Sequence, residues 1–351
     1  MSLAPYLREQ IAWQVIAVLV KRFQTFPDTS AENRNAPFHE AFLQAFADRL
    51  APHVTEPNVL ISLSSWLHGL NTTLGASFFE KTAHALSGGE KRRFKAGELT
   101  ITSAQREAID DIMAGLKNGS RSPSREAEDA LLRQAARQGE KANANRFTAD
   151  VFIEEPEERQ IIAIEIKSVR PNAGEIRGEK RKILEAKAAL YHAFPEYAIR
   201  YFMGFPFDPT AERNNPTGMD KTRFMQHLVE GKKYLDPKEV LLAGEFWDFL
   251  SGTTGTMEEI LKIINTIATP QFEAQFAFLQ NWRNRENHPA EYRTRLQAWG
   301  LQSELDLMDA WNTAAPQTKI AKRLWRQSPF DPKGRYRLER ERAIRNAISL
   351  R

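Results

Sequence analysis

Two acidic residues and a lysine stand in two short, mostly apolar segments near the middle of the chain. Asp150 lies in "RFTADVFIEE", and Glu165 and Lys167 lie near the end of "RQIIAIEIKSV". Side chains alternate between the two faces of a strand, so Glu165 and Lys167 share one face, which begins apolar and ends ionic. A buried strand does not leave a carboxylate and an ammonium at its end without partners or a task.

The linker "EEPEE" between the two segments predicts a β-hairpin. Pairing about its centre places Asp150 opposite Glu165, or within two residues of it. Residues that are directly opposed on one face lie about 5 Å apart at Cβ, and two carboxylates at that distance repel each other unless a cation separates them. Mg²⁺ typically binds one or two carboxylates together with water and phosphate oxygens. Asp150 and Glu165 are therefore the predicted metal ligands.

Lys167 would stand beside this metal on the same face. There it would help to activate the attacking water or stabilise the charge of the transition state, which indicates metal-assisted phosphodiester hydrolysis. A third catalytic carboxylate is predicted at Glu128, which shares the apolar stripe of the helix "SREAEDALLRQAA". The alternative is a surface ion pair on a strand, which is the common explanation of an isolated "EIK".

Asp150 and, after fourteen intervening residues, Glu165-Ile166-Lys167 resemble the PD-(D/E)xK nuclease motif, with Ala149 in place of its proline. The segments "TADVFI", "IEIKSVRPNAGEIRGEKRKILEAKAAL" and "GEFWDFLSG" resemble type II restriction endonucleases of the TdeIII-like group, over roughly residues 117–255. The resemblance implies a Mg²⁺-dependent enzyme that cuts double-stranded DNA at a short palindrome as a homodimer. It also implies a companion DNA methyltransferase that protects the host, and a GGNCC-like site.

Basic residues follow the predicted catalytic strand and also precede the hairpin. Arg177, Lys180 and Arg181 lie on the helix "NAGEIRGEKRKILEAKAALYHAF", and Arg121 and Arg125 lie in the loop "KNGSRSPSR". Arginine and lysine side chains bind DNA phosphates, and arginine also reads guanine in the major groove. We predict DNA contacts for these five residues. The alternative is a solvated helix face with Lys/Glu pairs and an ordinary surface loop.

The elements that must position these residues are a mixture of helices and strands. The order helix, strand, strand, helix, strand predicts an α/β (α+β) fold with a mixed-sheet, restriction-endonuclease-like core. We assign a helical N-terminal region to residues 1–95, the nuclease core to 96–255, and a helical, basic C-terminal region to 256–351.

Composition excludes several other kinds of protein. The chain has no cysteine, so disulfides and zinc–thiolate sites are excluded. The longest apolar run, "IAWQVIAVLV", is too short to span a bilayer, and we expect a cytoplasmic protein without membrane contact. Residues 319–351 hold eleven Lys/Arg and three acids, a net charge of +8 that suits a polyanion.

Two other functions are consistent with the same residues. The first is a structure-selective nuclease of DNA repair or recombination, with the same core and helical flanks that bind branched DNA. The second is a DNA-binding protein without catalysis, in which Asp150, Glu165 and Lys167 are structural. The presence of all three charged residues on one predicted face of the hairpin favours an enzyme.

Overall fold

The computed structural model of the chain describes residues 2–27, 43, 47–53, 57–168, 171–212, 214–314 and 318–349. The chain divides into two compact units. The first consists of Met1–Leu3 and Phe79–Glu259, and the second of Ala4–Phe78 and Ile260–Arg351. The N-terminal and C-terminal helical segments, which are far apart in sequence, thus belong to one unit.

The first unit contains all seven strands of the described chain and the helices around them. In chain order its elements are α4 (Glu80–Ser87), β1 (Glu90–Phe94), β2 (Thr100–Thr102), α5 (Ser103–Asn118), α6 (Arg125–Ala135), β3 (Lys141–Asn143), β4 (Phe147–Glu155), β5 (Gln160–Ile166), α7 (Ala173–Ala193), β6 (Ala198–Phe205), α8 (Lys221–His227), α9 (Gly231–Tyr234), a 3₁₀ turn (Pro237–Glu239), β7 (Val240–Leu242) and α10 (Gly244–Ser251).

Five of the strands form one mixed sheet in the order β1-β4-β5-β6-β7. The strands β1, β4 and β5 are antiparallel, whereas β5, β6 and β7 are parallel. The strands β2 and β3 form a separate antiparallel pair. This arrangement confirms the prediction of a mixed α/β fold.

Helix α7 makes the crossover between the parallel strands β5 and β6. It begins with a capping box, in which Asn172 accepts from the Glu175 amide and Glu175 accepts from the Asn172 amide. Its apolar side chains Ile176, Ile183 and Leu184 are fully buried. Each such side chain stabilises the fold by roughly 1.5–3 kcal/mol, and together they fix the helix beside the end of β5.

The region 1–95, which is assigned from the sequence as helical, also contains a strand near its C-terminal end. Helix α4 ends at Ser87, and Gly88 follows in the left-handed conformation with φ of 68°. Strand β1 begins at Glu90 and pairs with β4, which lies more than fifty residues later in the sequence. A non-local partner of this kind leaves no trace in the local pattern of the strand.

The second unit is helical. Its helices are α1 (Pro5–Phe23), α2 (Ala47–Leu50), α3 (Pro57–Thr73) with a π-helical turn (Leu74–Phe79), α11 (Thr256–Ile267, which begins in the first unit), α12 (Phe272–Gln280), α13 (Trp282–Asn287), α14 (Pro289–Ala298), α15 (Gln302–Ala314), α16 (Lys319–Trp325) and α17 (Leu338–Ser349). Trp13 stacks on Tyr336 with a centroid distance of 4.3 Å, which ties the two ends of the chain together. No helix in the described ranges is long and apolar enough to cross a membrane.

Candidate active site

The β4–β5 hairpin brings Asp150 and Glu165 together, as the sequence predicts. Val151 pairs with Ile164, and continuing this register by one residue places Asp150 opposite Glu165 on the same face. The backbone N–H of Ile166 donates to Asp150 Oδ2 at 3.0 Å, which orients the carboxylate towards the end of β5. Ala149, at the position of the motif's proline, lies in a strand with neighbours on both sides, from which proline is usually excluded.

Lys167 lies directly after β5 and contacts two carboxylates. Its Nζ lies 3.1 Å from Glu165 Oε1 and 2.7 Å from Glu179 Oε1. Its backbone N–H donates to the Gly204 carbonyl of β6 at 2.9 Å, so the sheet ladder fixes the start of this side chain. The ammonium therefore has a defined position beside Glu165.

Four further charged side chains belong to this cluster, and the sequence did not single them out. Lys182 of α7 places its Nζ 2.7 Å from Glu165 Oε2, and Glu179 accepts from Lys167. Lys91 of β1 lies 3.2 Å from Asp150 Oδ1 and 2.6 Å from Glu80 of α4. Glu179 and Lys182 were visible as an i, i+3 pair just after the motif. Lys91 and Glu80 lie in the region 1–95, which is assigned from the sequence to a helical N-terminal region outside the nuclease core.

The cluster consists of two groups of ion pairs. Lys91 bridges Glu80 and Asp150, whereas Lys167 and Lys182 both contact Glu165 and Glu179. Asp150 and Glu165 carry the two like charges that face each other between these groups. Burial raises the pKa of the Glu165 carboxyl, and the negative charge of Asp150 raises it further, whereas Lys167 and Lys182 oppose the shift. Burial alone would lower the pKa of Lys167, but Glu165 and Glu179 outweigh it and raise that pKa.

Tyr201 of β6 adds a buried polar atom beside the same carboxylates. Its side chain is fully buried, and its hydroxyl has no hydrogen-bond partner among the described residues. Burial raises the pKa of Tyr201 well above its usual value, and the charges of Glu165, Glu179 and Asp150 raise it further. The hydroxyl stays protonated and is an unused donor next to the cluster.

The oxygen donors of this cluster fit a hard divalent cation. Asp150 and Glu165 present carboxylate oxygens side by side, and Mg²⁺ needs only one or two carboxylates when water and phosphate complete its shell. The described part of the chain has no group of three or more His, Asp or Glu side chains arranged around a metal position. The ammonium of Lys91 contacts Asp150 Oδ1 and the ammonium of Lys182 contacts Glu165 Oε2, so a cation bound between the carboxylates would compete with these lysines.

Lys167 also faces open space from which a substrate can approach. A cavity of about 220 Å³ adjoins it, lined by Ser168, Phe205, Phe207, Phe224 and His227 among others. Phe207 is 40% exposed, so the cavity mouth is aromatic. Lys167 thus borders both the carboxylates and a cavity.

The predictions for Glu128 and Lys180 need correction. Glu128 faces inward, as predicted, but it contacts Lys180 rather than Asp150 or Glu165. Lys180 is fully buried and donates to Glu128 Oε2 and Glu239 Oε2, both at 2.6 Å. An ammonium enclosed in this way cannot reach a DNA phosphate. The apolar stripe of its helix does place Glu128 in the interior. There it forms a buried ion triad with Lys180 and Glu239 and does not contact the Asp150 cluster.

The other predicted DNA contacts lie nearer to solvent. Arg177 is exposed on α7 and makes no hydrogen bond or ion pair with the described residues. Arg181 is 45% exposed and pairs with Asp110 at 2.6 Å. The Arg125 side chain donates to the Lys238 carbonyl at 3.3 Å, and Arg121 is half-buried. Arg177 is the most available of the four to a ligand.

Comparison with known proteins identifies relatives over most of the chain. The family model of the type II restriction endonuclease HinfI matches residues 5–268. The type II restriction enzyme MjaII of Methanocaldococcus jannaschii is 44% identical over 324 residues, which cover 88% of this chain and 86% of that enzyme. No solved structure matches the chain. The matches confirm the resemblance to type II restriction endonucleases, and the finer TdeIII-like assignment stays a prediction.

Proposed function

This chain belongs to the HinfI family of type II restriction endonucleases, and we propose that it hydrolyses double-stranded DNA at a PD-(D/E)xK site formed by Asp150, Glu165 and Lys167. The observation that carries the proposal is the hairpin register, which sets the two carboxylates opposite each other with Lys167 at the end of the same strand. A surface ion pair would not need the second strand, the buried tyrosine or the half-buried setting of the cluster.

Asp150 and Glu165 would hold Mg²⁺, which when bound activates water and neutralises charge on the scissile phosphate. Lys167 and Lys182 orient the Glu165 carboxylate, because each ammonium contacts one of its two oxygens. Lys167 would stabilise the charge that develops on the phosphate, because it borders the open cavity and its raised pKa keeps it protonated. Glu179 positions Lys167 through the 2.7 Å contact.

Lys91 would compensate the charge of Asp150. It bridges Glu80 and Asp150, and burial alone would lower its pKa, but these two carboxylates outweigh burial and raise it. Four carboxylates in one cluster would otherwise repel each other strongly. Glu80 and Glu179 replace Glu128 as the candidates for a third acidic residue.

The proposed substrate is a short palindromic site, for which two copies of the chain would supply two active sites. Arg177 would contact the DNA backbone or a guanine from the start of α7, and Arg181 lies one turn further along the same helix. Arg121 and Arg125, before and at the start of α6, would add backbone contacts. A GGNCC-like site and a companion methyltransferase follow from the family resemblance and complete the proposal.

Digestion of unmethylated phage DNA by the purified protein with Mg²⁺ tests this function. We expect discrete fragments whose mapped ends share one short palindrome. A smear, or cleavage confined to branched substrates, would contradict site-specific restriction and support a structure-selective nuclease. Binding without any cleavage in Mg²⁺ or Mn²⁺ would contradict the nuclease function itself.

A further inference from the structure

A cavity in the second unit lies at the start of helix α17, far along the chain from the Asp150 cluster. Its volume is about 630 Å³, and its wall includes Gln327, Arg335, Arg337, Leu338 and Arg340. These residues belong to the basic segment 319–351, whose net charge of +8 has no role in the proposed active site. The wall of this cavity therefore consists of residues from the most basic segment of the chain.

The amino end of α17 forms part of this wall. The first backbone hydrogen bond of the helix runs from the Glu341 N–H to the Arg337 carbonyl at 3.2 Å. The N–H groups of Leu338, Glu339 and Arg340 have no acceptor among the described residues. The amino end of a helix also carries a partial positive charge, so a helix of 12 residues favours an anion at this position.

Two arginines of the wall have unused donors. Arg340 is 3% exposed, and only its Nη1 is occupied, donating to Glu304 at 2.6 Å. Its Nε and Nη2 are buried and have no partner among the described residues, and the same is true of Arg337 Nε. Buried donors without acceptors are destabilising, so this arrangement is suited to an incoming acceptor.

The acidic residues of the wall do not cancel this surplus of donors. Asp331 accepts from Arg335 Nε at 2.7 Å and from the Lys333 and Arg335 amides, so its oxygens are occupied. The Glu339 side chain is 90% exposed and pairs with Arg342 at 3.3 Å. Arg337 has no acidic partner among the described residues and supplies the remaining positive charge.

We propose that this cavity is a phosphate-binding site that takes a backbone phosphate of double-stranded DNA. The unpaired amides of α17 and the unpartnered guanidinium nitrogens of Arg337 and Arg340 are hydrogen-bond donors suited to the oxygens of a phosphodiester. The site rests on the proposed function for the identity of its ligand, since a DNA-cutting enzyme must bind the duplex backbone. It supplies affinity that does not depend on sequence.

The test compares Arg337→Gln with Arg342→Gln in the full-length protein. Arg342 lies on the same helix, its side chain is 68% exposed, and it is not among the residues of the cavity wall. The association constant for a labelled duplex is measured with Ca²⁺ over a series of KCl concentrations. The slope of log K against log [KCl] is negative, and loss of one phosphate contact reduces its magnitude by about 0.9. We expect this change in Arg337→Gln only, with the same effect on unrelated DNA sequences.

Inorganic phosphate separates the two possible sources of the ligand. The thermal midpoint is measured with and without phosphate for wild type and Arg337→Gln. If phosphate stabilises only the wild type while the DNA slopes are equal, the site takes free phosphate and the assignment to DNA is wrong. If the magnitude of the slope falls equally in both variants, the site is refuted. The site is also refuted if the slope changes in neither variant and phosphate does not stabilise the wild type. The slope is measured without cleavage, so its outcome is independent of whether Asp150 and Glu165 form a nuclease site.

Discussion

Replacement of Asp150 by asparagine is expected to abolish DNA cleavage while leaving DNA binding intact. The substitution keeps the shape of the side chain and removes the negative charge that would bind the metal. Its amide oxygen can still accept from the Ile166 N–H, so the hairpin should persist. Even residues that only support a metal ligand commonly contribute roughly 10–100-fold, so we expect a loss of at least about a hundredfold in the single-turnover rate.

Asp111→Asn is the matched control, because Asp111 is an exposed residue of α5 in the same unit. The single-turnover rate is measured with saturating enzyme and Mg²⁺, and binding is measured with Ca²⁺. Asp111→Asn should cleave like the wild type. Cleavage by Asp150→Asn at the wild-type rate would refute the proposed role of Asp150. Loss of binding together with cleavage would indicate a structural role.

Replacement of Lys180 by methionine should destabilise the first unit without removing a DNA contact. Lys180 is fully buried between Glu128 and Glu239, and its loss leaves two buried carboxylates without a counter-charge. Breaking a buried ion pair in this way costs about 3–5 kcal/mol. We expect a decrease of that size in the free energy of unfolding, measured by urea denaturation at pH 7.

The pH dependence of Lys180→Met separates this explanation from simple loss of packing. Burial raises the pKa of Glu128 in the folded state, and Lys180 opposes this shift. Without Lys180 the folded-state pKa of Glu128 lies further above its unfolded value, so folding takes up protons. The deficit relative to wild type should therefore shrink as the pH falls towards about 5. Lys117→Met, at an exposed lysine of α5, is the control. A deficit that does not change with pH would contradict the ion-triad account.

Local patterns were sufficient to predict the hairpin and the face that carries Asp150 and Glu165. The alternation in "QIIAIEIK" and the turn "EEPEE" determine which side chains share a face, and the observed register agrees. The start of α5 is also determined by local sequence, because Thr102 and Gln105 form a capping box. These features depend on residues that are close in sequence, where periodicity is informative.

Features that depend on distant partners were not predictable. Lys91 joins the cluster only because β1 pairs with β4, and its own segment is strongly charged and short. The spacing of Lys180 indicates a basic helix face, but Glu128 and Glu239 from other elements contact its ammonium and enclose it. Burial of a lysine is decided by its partners in the tertiary structure, and sequence spacing alone does not contain them.

The most direct test of the proposed active site is the position of a bound metal ion. Crystals of the protein with Mn²⁺ and uncleaved DNA, with data collected at the manganese absorption edge, locate the ion by its anomalous signal. We predict a peak within bonding distance of both Asp150 and Glu165, with Lys91 or Lys182 displaced from the oxygens that they contact here. A peak that contacts neither carboxylate, in crystals whose DNA is cut on exposure to Mg²⁺, would contradict the proposed site.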